Sequence, residues 1–301
     1  MRDPIAGQDS SWPSEFPGLV ASFFTLSGAG FAEPPRNSFV ERCEAAAAAG
    51  FTGIGLHFDD LPRTIAAGVD VTEMRAVLKN NGLCLVEIEF LAGWAFSHGQ
   101  NGGISPALAG IEAVADALGG RQVSAGEFRR DTPLDTEHDR NSAAKALRAN
   151  ADRLASHGLL VALESFPWSA LANTNIAIDL LRRAEAPNAG LLIDVWHFYN
   201  GGGRPDQLVD LPPGGITGFQ LNDGPMVHDN FQQHARAERH LPGEGELDVV
   251  GLIRAVRRAG FEGPYCVESN TPEFRNLPVD EAARRAADTA TSVLRSAGVM
   301  A

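Results

Sequence analysis

Residues 159–164, LLVALE, form an apolar run closed by a carboxylate, and the pattern returns as GLLID ending at Asp194, ITGFQ at Gln220 and PYCVE at Glu268. Continuous apolar runs are the signature of parallel strands buried on both faces. Oxygen-bearing side chains at their C-terminal ends converge only where those strands are neighbours in a barrel or an open sheet. Working outward, strands are predicted near residues 18–25, 52–57, 83–90, 121–127, 159–164, 189–194, 216–221 and 264–268, separated by Ala-, Arg- and Leu-rich helical runs. Eight such alternations predict an α/β fold, a (β/α)8 TIM barrel forming one domain over residues 18–301, preceded by an N-terminal extension at 1–17.

Local signals agree with that repeat. In SFVERCEAAAAAG, Ser38 is placed to cap a helix with Glu41 three residues on, and Gly50 closes it. Asn80, Asn81 and Gly82, then His157 and Gly158, then Gly260, stop later helices just before a strand. Two segments after strands are long: FLAGWAFSHGQNGG after the third and GPMVHDNFQQHARAERHLPGEGELD after the seventh. On the catalytic face of a barrel they read as substrate walls or lids.

With 301 residues, 44% hydrophobic and 21% charged, the chain can bury a large core, and no stretch is long and apolar enough to cross a bilayer. The first 18 residues lack the basic start and apolar run of a secretory signal, so a cytoplasmic protein is expected. A formal charge of −13 opposes nucleic-acid binding, which depends on neutralised phosphates. Lys79 and Lys145 are the only lysines and both fall in helical runs, which argues against a Schiff base. Cys43, Cys84 and Cys266 are widely spaced and read as small buried residues. No exposed apolar stripe marks an interface, and a symmetric homo-oligomer is compatible with the acidic surface.

Glu164, Asp194, Gln220 and Glu268, from four successive strand ends, supply the carboxylate and amide oxygens that a hard divalent cation prefers. Three carboxylates brought together without a cation would raise one another's pKa, so their convergence implies one metal ion, foremost Mn²⁺ or Mg²⁺, or a shared proton. Taken singly, each acid could be only a helix cap or a salt-bridge partner. His197, three residues after Asp194, is placed for proton transfer or a substrate hydroxyl. Glu87 and Glu89 in CLVEIEF share one face of the third strand, and Glu89, nearer the catalytic end, is the better substrate contact. His57 lies on the same rim, while Asp59 and Asp60 read as a capping or solvated turn. Trp94, with Phe96, Trp168 and Trp196, offers an apolar wall for a sugar or cyclic polyol. The Gly-rich NGGGR at 200–204 lacks the pattern of a nucleotide loop and reads as a turn.

LES with Glu164, LIDVWHF with Asp194 and His197, FQLND with Gln220, RHLPGEGELD with Arg239, and VESN with Glu268 together resemble the xylose-isomerase-like TIM barrels, over roughly residues 18–297. That superfamily includes sugar phosphate isomerases, ketose 3-epimerases, inosose dehydratases and 3-dehydroshikimate dehydratases. The resemblance implies that Glu164, Asp194, Gln220 and Glu268 hold one divalent metal, with Co²⁺ an alternative to Mn²⁺ or Mg²⁺, and that His197 and Arg239 lie near a small polyhydroxylated carbonyl substrate. Gln220 departs from the His common in the isomerases and epimerases and is similar to some dehydratases.

Two chemistries follow. An isomerase or epimerase would shuttle a proton between Glu164 and Glu268 beside a metal-polarised carbonyl. A lyase would eliminate water, with an acid such as His197 protonating the departing hydroxyl. The outline also resembles endonuclease IV, but one metal's worth of ligands on an acidic chain sets DNA repair aside. A barrel serving only as a scaffold is the remaining alternative.

Overall fold

The computed structural model describes residues 18–31, 33–95, 103–129 and 134–300. The proposed extension at 1–17 and Phe96 lie outside the described residues. Eight parallel strands pair in chain order and close on themselves: β1 (Leu19–Ala21), β2 (Gly53–His57), β3 (Cys84–Leu91), β4 (Gln122–Ala125), β5 (Leu160–Leu163), β6 (Ala189–Asp194), β7 (Ile216–Leu221) and β8 (Tyr265–Val267). The helices are α1 (Phe23–Ser27), α2 (Phe39–Ala48), α3 (Asp60–Ala66), α4 (Val71–Asn80), α5 (Leu108–Leu118), α6 (Glu137–Ala155), α7 (Thr174–Ala184), α8 (Val195–Asn200), α9 (Phe231–Ala237), α10 (Val249–Arg258), α11 (Pro272–Arg275) and α12 (Val279–Ala297). The fold is the expected single TIM barrel.

The additional helices arise mainly between a strand end and the long helix that follows it. The first strand was expected to run to residue 25 but stops at Ala21, because Ser22 turns the chain and accepts a hydrogen bond from Thr25 N (3.3 Å), capping α1. A short apolar run such as FFTL has no period that separates a buried strand from a buried helix. The long segment after β7 contains α9 and returns along β7 through an antiparallel bridge between Asp223 and His240. Ser38 and Glu41 form the expected capping box, and Gly50 follows at φ 90°.

Val20, Val86 and Cys266 form a small apolar cluster of their own. Beside it the buried Glu87 accepts hydrogen bonds from Ser124 Oγ (2.6 Å) and Gln122 Nε2 (3.4 Å). Gly53 and Gly218 belong to this interior: a Cβ on Gly53 would lie 2.5 Å from Val86 Cγ2, and one on Gly218 2.8 Å from Gln122 Nε2. Outside the strands, α12 presents Ala282, Ala283, Ala286, Ala287 and Ala290, small residues at helical spacing that let it seat closely on the barrel.

Asp60 is a correction to the expected solvated turn: it is buried and forms an ion pair with the buried Arg42. Asp59 remains at the surface opposite Arg63 (3.7 Å). The cysteines are unpaired thiols, two buried and one half-buried, and burial pushes Cys43 up to about 12. Among the described residues no helix is long and apolar enough to cross a membrane.

Candidate active site

The C-terminal ends of the strands open into a cavity of about 330 Å³, within the range of small-molecule sites. Strand register delivers its floor. Asp194, the last residue of β6, is paired with Gln220 of β7, and Glu268 is tied one strand further on by its N–H to Leu221 O (3.0 Å). Glu164 follows β5, held by its N–H to Ala125 O (2.7 Å), and His57 on β2 pairs with Glu89 on β3.

Asp194 is the most constrained of these. One carboxylate oxygen caps α8 by accepting from His197 N (2.8 Å), and the other accepts from Arg239 Nη1 (2.8 Å) and Asn222 Nδ2 (2.5 Å). Arg239 is itself buried, and the same Nη1 donates to Glu268 Oε1 (3.3 Å), so one guanidinium bridges two of the three carboxylates. His197 Nε2 stands 3.7 Å from Glu164 Oε1, and the ring is edge-on to Phe166, Trp168 and Trp196. Glu164, Asp194 and His197 can each bring one ligand atom within 4.8 Å of the others'.

That grouping differs from the expected ligand set by including His197 and leaving out Glu268. Gln220 Oε1 is buried with no hydrogen-bond partner among the described residues, as is His197 Nδ1. A buried amide oxygen without a donor carries an unpaid desolvation cost unless something electropositive meets it. Carboxylate, amide and imidazole donors at one point suit a divalent cation and, being mixed O and N, do not select one ion. Glu164, Asp194, Gln220 and His197 could hold it, with Glu268 alongside.

The electrostatics fit proton chemistry. Burial, reinforced by the charges of Asp194 and Glu268, raises the Glu164 carboxyl well above the ordinary range. Burial brings Glu268 up to about 7, with Arg239 pulling against it and Asp194 adding to the rise. Burial takes His197 down to about 3, opposed by Asp194, so its imidazole is neutral. Glu89 is raised by burial and then by Glu87 and Glu268, while its Oε1 accepts from Phe23 N (3.2 Å). His57 is pushed down by burial.

Of the residues singled out in the sequence, Glu164, Glu268, His197, Gln220, His57, Glu89 and Arg239 all face this cavity, and Asp194 lies directly behind Arg239. Trp94 does not join its wall: it is fully buried in the hydrophobic core, its backbone N–H held by the Glu127 carboxylate (2.7 Å). Trp196 is likewise buried, leaving Trp168 as the tryptophan at the cavity among the described residues. The wall is instead built from phenylalanines. Phe90, Phe128, Phe166 and Trp168 make a continuous cluster with neighbouring centroids 5.0 to 5.3 Å apart, and Phe24 and Phe31 pack at 4.4 Å. Phe90, Phe128 and Phe166 lie at or within three residues of three successive strand ends, a recurrence already present in the sequence. The NGGGR turn lies away from the cavity, with Asn200 bonded to Trp196 O (3.1 Å) and Val227 N (2.8 Å).

A closed parallel barrel with acids at its strand ends defines a fold family, and the sequence places the chain within it. The chain belongs to the xylose isomerase-like TIM barrel family, whose model matches residues 43–296. A 3-dehydroshikimate dehydratase of Pseudomonas aeruginosa is 30% identical over 255 residues, 79% of this chain and 37% of that protein. The chain thus spans less than half the length of that relative. An inosose isomerase of Bacillus subtilis is 24% identical over 187 residues, covering 62% of this chain and 66% of the isomerase. A solved structure of the IOLI protein with a zinc atom bound superimposes with a TM-score of 0.80 at 19% identity, over 93% of this chain and 98% of its own, which shows a shared fold.

Proposed function

We propose that the chain is a divalent-metal-dependent isomerase or epimerase that moves a proton next to the carbonyl of a small polyhydroxylated compound. The observation that carries this reading is the pair Glu164 and Glu268, two buried carboxyls with raised pKa values lining one cavity around the unpartnered Gln220 Oε1. When bound, a divalent cation supplies Lewis acidity that polarises a carbonyl and acidifies the adjacent C–H.

The chain's own residues supply the rest. Glu268, brought up to about 7 by burial, is suited to return a proton because its pKa lies close to the working pH, and the raised pKa of Glu164 makes its ionised carboxylate a strong proton acceptor. Glu164 takes the proton in this reading, and Glu268, positioned by Arg239, returns one from its own side of the cavity. His197, neutral and boxed by aromatic rings, accepts or donates a hydrogen bond to a substrate hydroxyl. Phe166 and Trp168 exclude water from the reacting face.

Dehydration is the second reading, favoured by Gln220 and by the kinship with a protein named 3-dehydroshikimate dehydratase. It begins with the same proton abstraction. Because burial keeps His197 neutral, a protonated Glu268 is then the better acid for the departing hydroxyl than His197. Proton NMR in D₂O, with Mg²⁺ and a panel of ketoses, inososes and dehydroshikimate, separates the two. Deuterium uptake without loss of water supports the isomerase, and a new vinylic signal supports the lyase. Neither exchange nor elimination with any of these compounds would count against both.

A further inference from the structure

Ser124 lines the cavity and takes no part in the proton transfer. It stands on β4 two residues after Gln122, so both side chains point to one face of that strand, and Gln122 is paired in register with Glu87 of β3. Glu87 itself is fully buried. Ser124 Oγ donates to Glu87 Oε1 at 2.6 Å, the one hydrogen bond this hydroxyl makes among the described residues. The same oxygen accepts from Gln122 Nε2 (3.4 Å), and Glu87 Oε2 accepts from Cys266 Sγ (3.4 Å). The direction of these bonds is set at the far end of the row. Arg121 can only donate, and its guanidinium bonds Gln122 Oε1 as well as Thr217 O (2.7 Å). With its oxygen taken, the Gln122 amide turns its NH₂ toward Glu87, and Glu87 meets donors on both oxygens. The Ser124 proton therefore goes to Glu87, and the serine lone pairs remain for the cavity.

We infer that Ser124 is a specificity-determining residue that accepts a hydrogen bond from a substrate hydroxyl, and that Glu87 is the positioning residue that turns the serine proton away from the cavity; the inference rests on the reading of the site as one for a polyhydroxylated compound. A serine hydroxyl rotates freely and ordinarily serves as donor or acceptor alike. Tied to a buried carboxylate by a short, charge-assisted bond, it is an acceptor alone. A carbonyl, ether or fluorine placed against it then sets lone pair against lone pair and leaves the serine oxygen without a donor, whereas a free hydroxyl satisfies it. Glu87 exerts this selection without touching the substrate.

The test is calorimetric binding, with Mg²⁺ present, of an inosose and of its deoxyfluoro analogues, one for each hydroxyl. Fluorine is close to a hydroxyl in size but cannot donate. At least one analogue should bind about 10-fold more weakly than the parent, the scale of a buried acceptor left unpaired. That penalty should vanish in Ser124→Ala, return in Ser124→Thr, which restores the hydroxyl, and shrink in Glu87→Leu, where the serine is free to turn. The inference is overturned if the inosose does not bind, if no analogue is weakened, or if every penalty survives Ser124→Ala. A penalty that Ser124→Ala removes and Glu87→Leu leaves whole overturns the role of Glu87. Deuterium exchange of the same inosose in D₂O reports separately on the proton-transfer reading: a serine-dependent penalty without exchange upholds Ser124 and counts against that reading, and exchange without such a penalty does the reverse.

Discussion

Glu268 illustrates how a single side chain couples the fold to its chemistry. Its carboxyl, raised to about 7 mainly by burial, binds a proton in the folded chain that the unfolded chain releases near the ordinary value of 4.5. The stability it contributes without metal is therefore fully present below 4.5 and is lost as pH rises through about 7. His197 acts in the opposite direction: its pKa is lowered to about 3, so it costs stability as pH falls below 6.5. Subtracting the denaturation profile of Glu268→Gln from that of the native chain isolates the carboxyl. We predict a difference that shifts against the native protein across this interval and flattens when metal is added. An identical pH profile for the two proteins would contradict the raised pKa. For catalysis, Glu164→Gln and Glu268→Gln should each slow substrate deuterium exchange by about 100-fold or more, the scale of general acid–base catalysis. Circular dichroism on the same samples should show the barrel intact.

At the scale of elements, the strand ends were legible because parallel strands buried on both faces leave continuous apolar runs, and the acid closing each run lies where the barrel opens. The short helices were not. α1 grows from the same apolar letters as β1, and only the Ser22 cap tells them apart. Trp94 and Trp168 both follow strand ends, yet Glu127 draws the Trp94 backbone inward while Trp168 remains at the cavity. That contact joins segments 33 residues apart and has no local signature. The barrel interior supports a sharper prediction. Gly53→Ala forces a Cβ against Val86 and should cost about 1–3 kcal/mol by overpacking. The pair between Arg42 and Asp60 is buried, so Asp60→Asn leaves a guanidinium without its charge partner and should cost about 3 kcal/mol or more. Urea denaturation checks both, and a loss under half a kilocalorie for Asp60→Asn would mean that water reaches the pair.

For the whole molecule, the eight-fold repeat made the barrel and most of its floor readable, because topology alone brings the ends of neighbouring strands together. The wall was less readable. Its phenylalanines come from strand β3, helix α1 and the segments that follow strands, and they acquire a common face only after the barrel closes. The role of Arg239 as a bridge between Asp194 and Glu268 also depends on α9 folding back over the strand ends. A metal that binds this assembled site and not the unfolded chain stabilises the whole barrel. At a free concentration 100 times its dissociation constant the gain is about 2.7 kcal/mol, readable as a rise in melting temperature that chelator reverses.

In the proposed reading the strand ends form a site for one divalent ion. Its most direct test is the metal content of the native, folded protein, measured by native mass spectrometry after equilibration with Mn²⁺ and removal of the excess. One ion per chain, lost in Glu164→Gln and in Gln220→Leu while the barrel stays folded, is the result this account predicts. No bound ion in the native protein, or the same single ion in both variants, would contradict it.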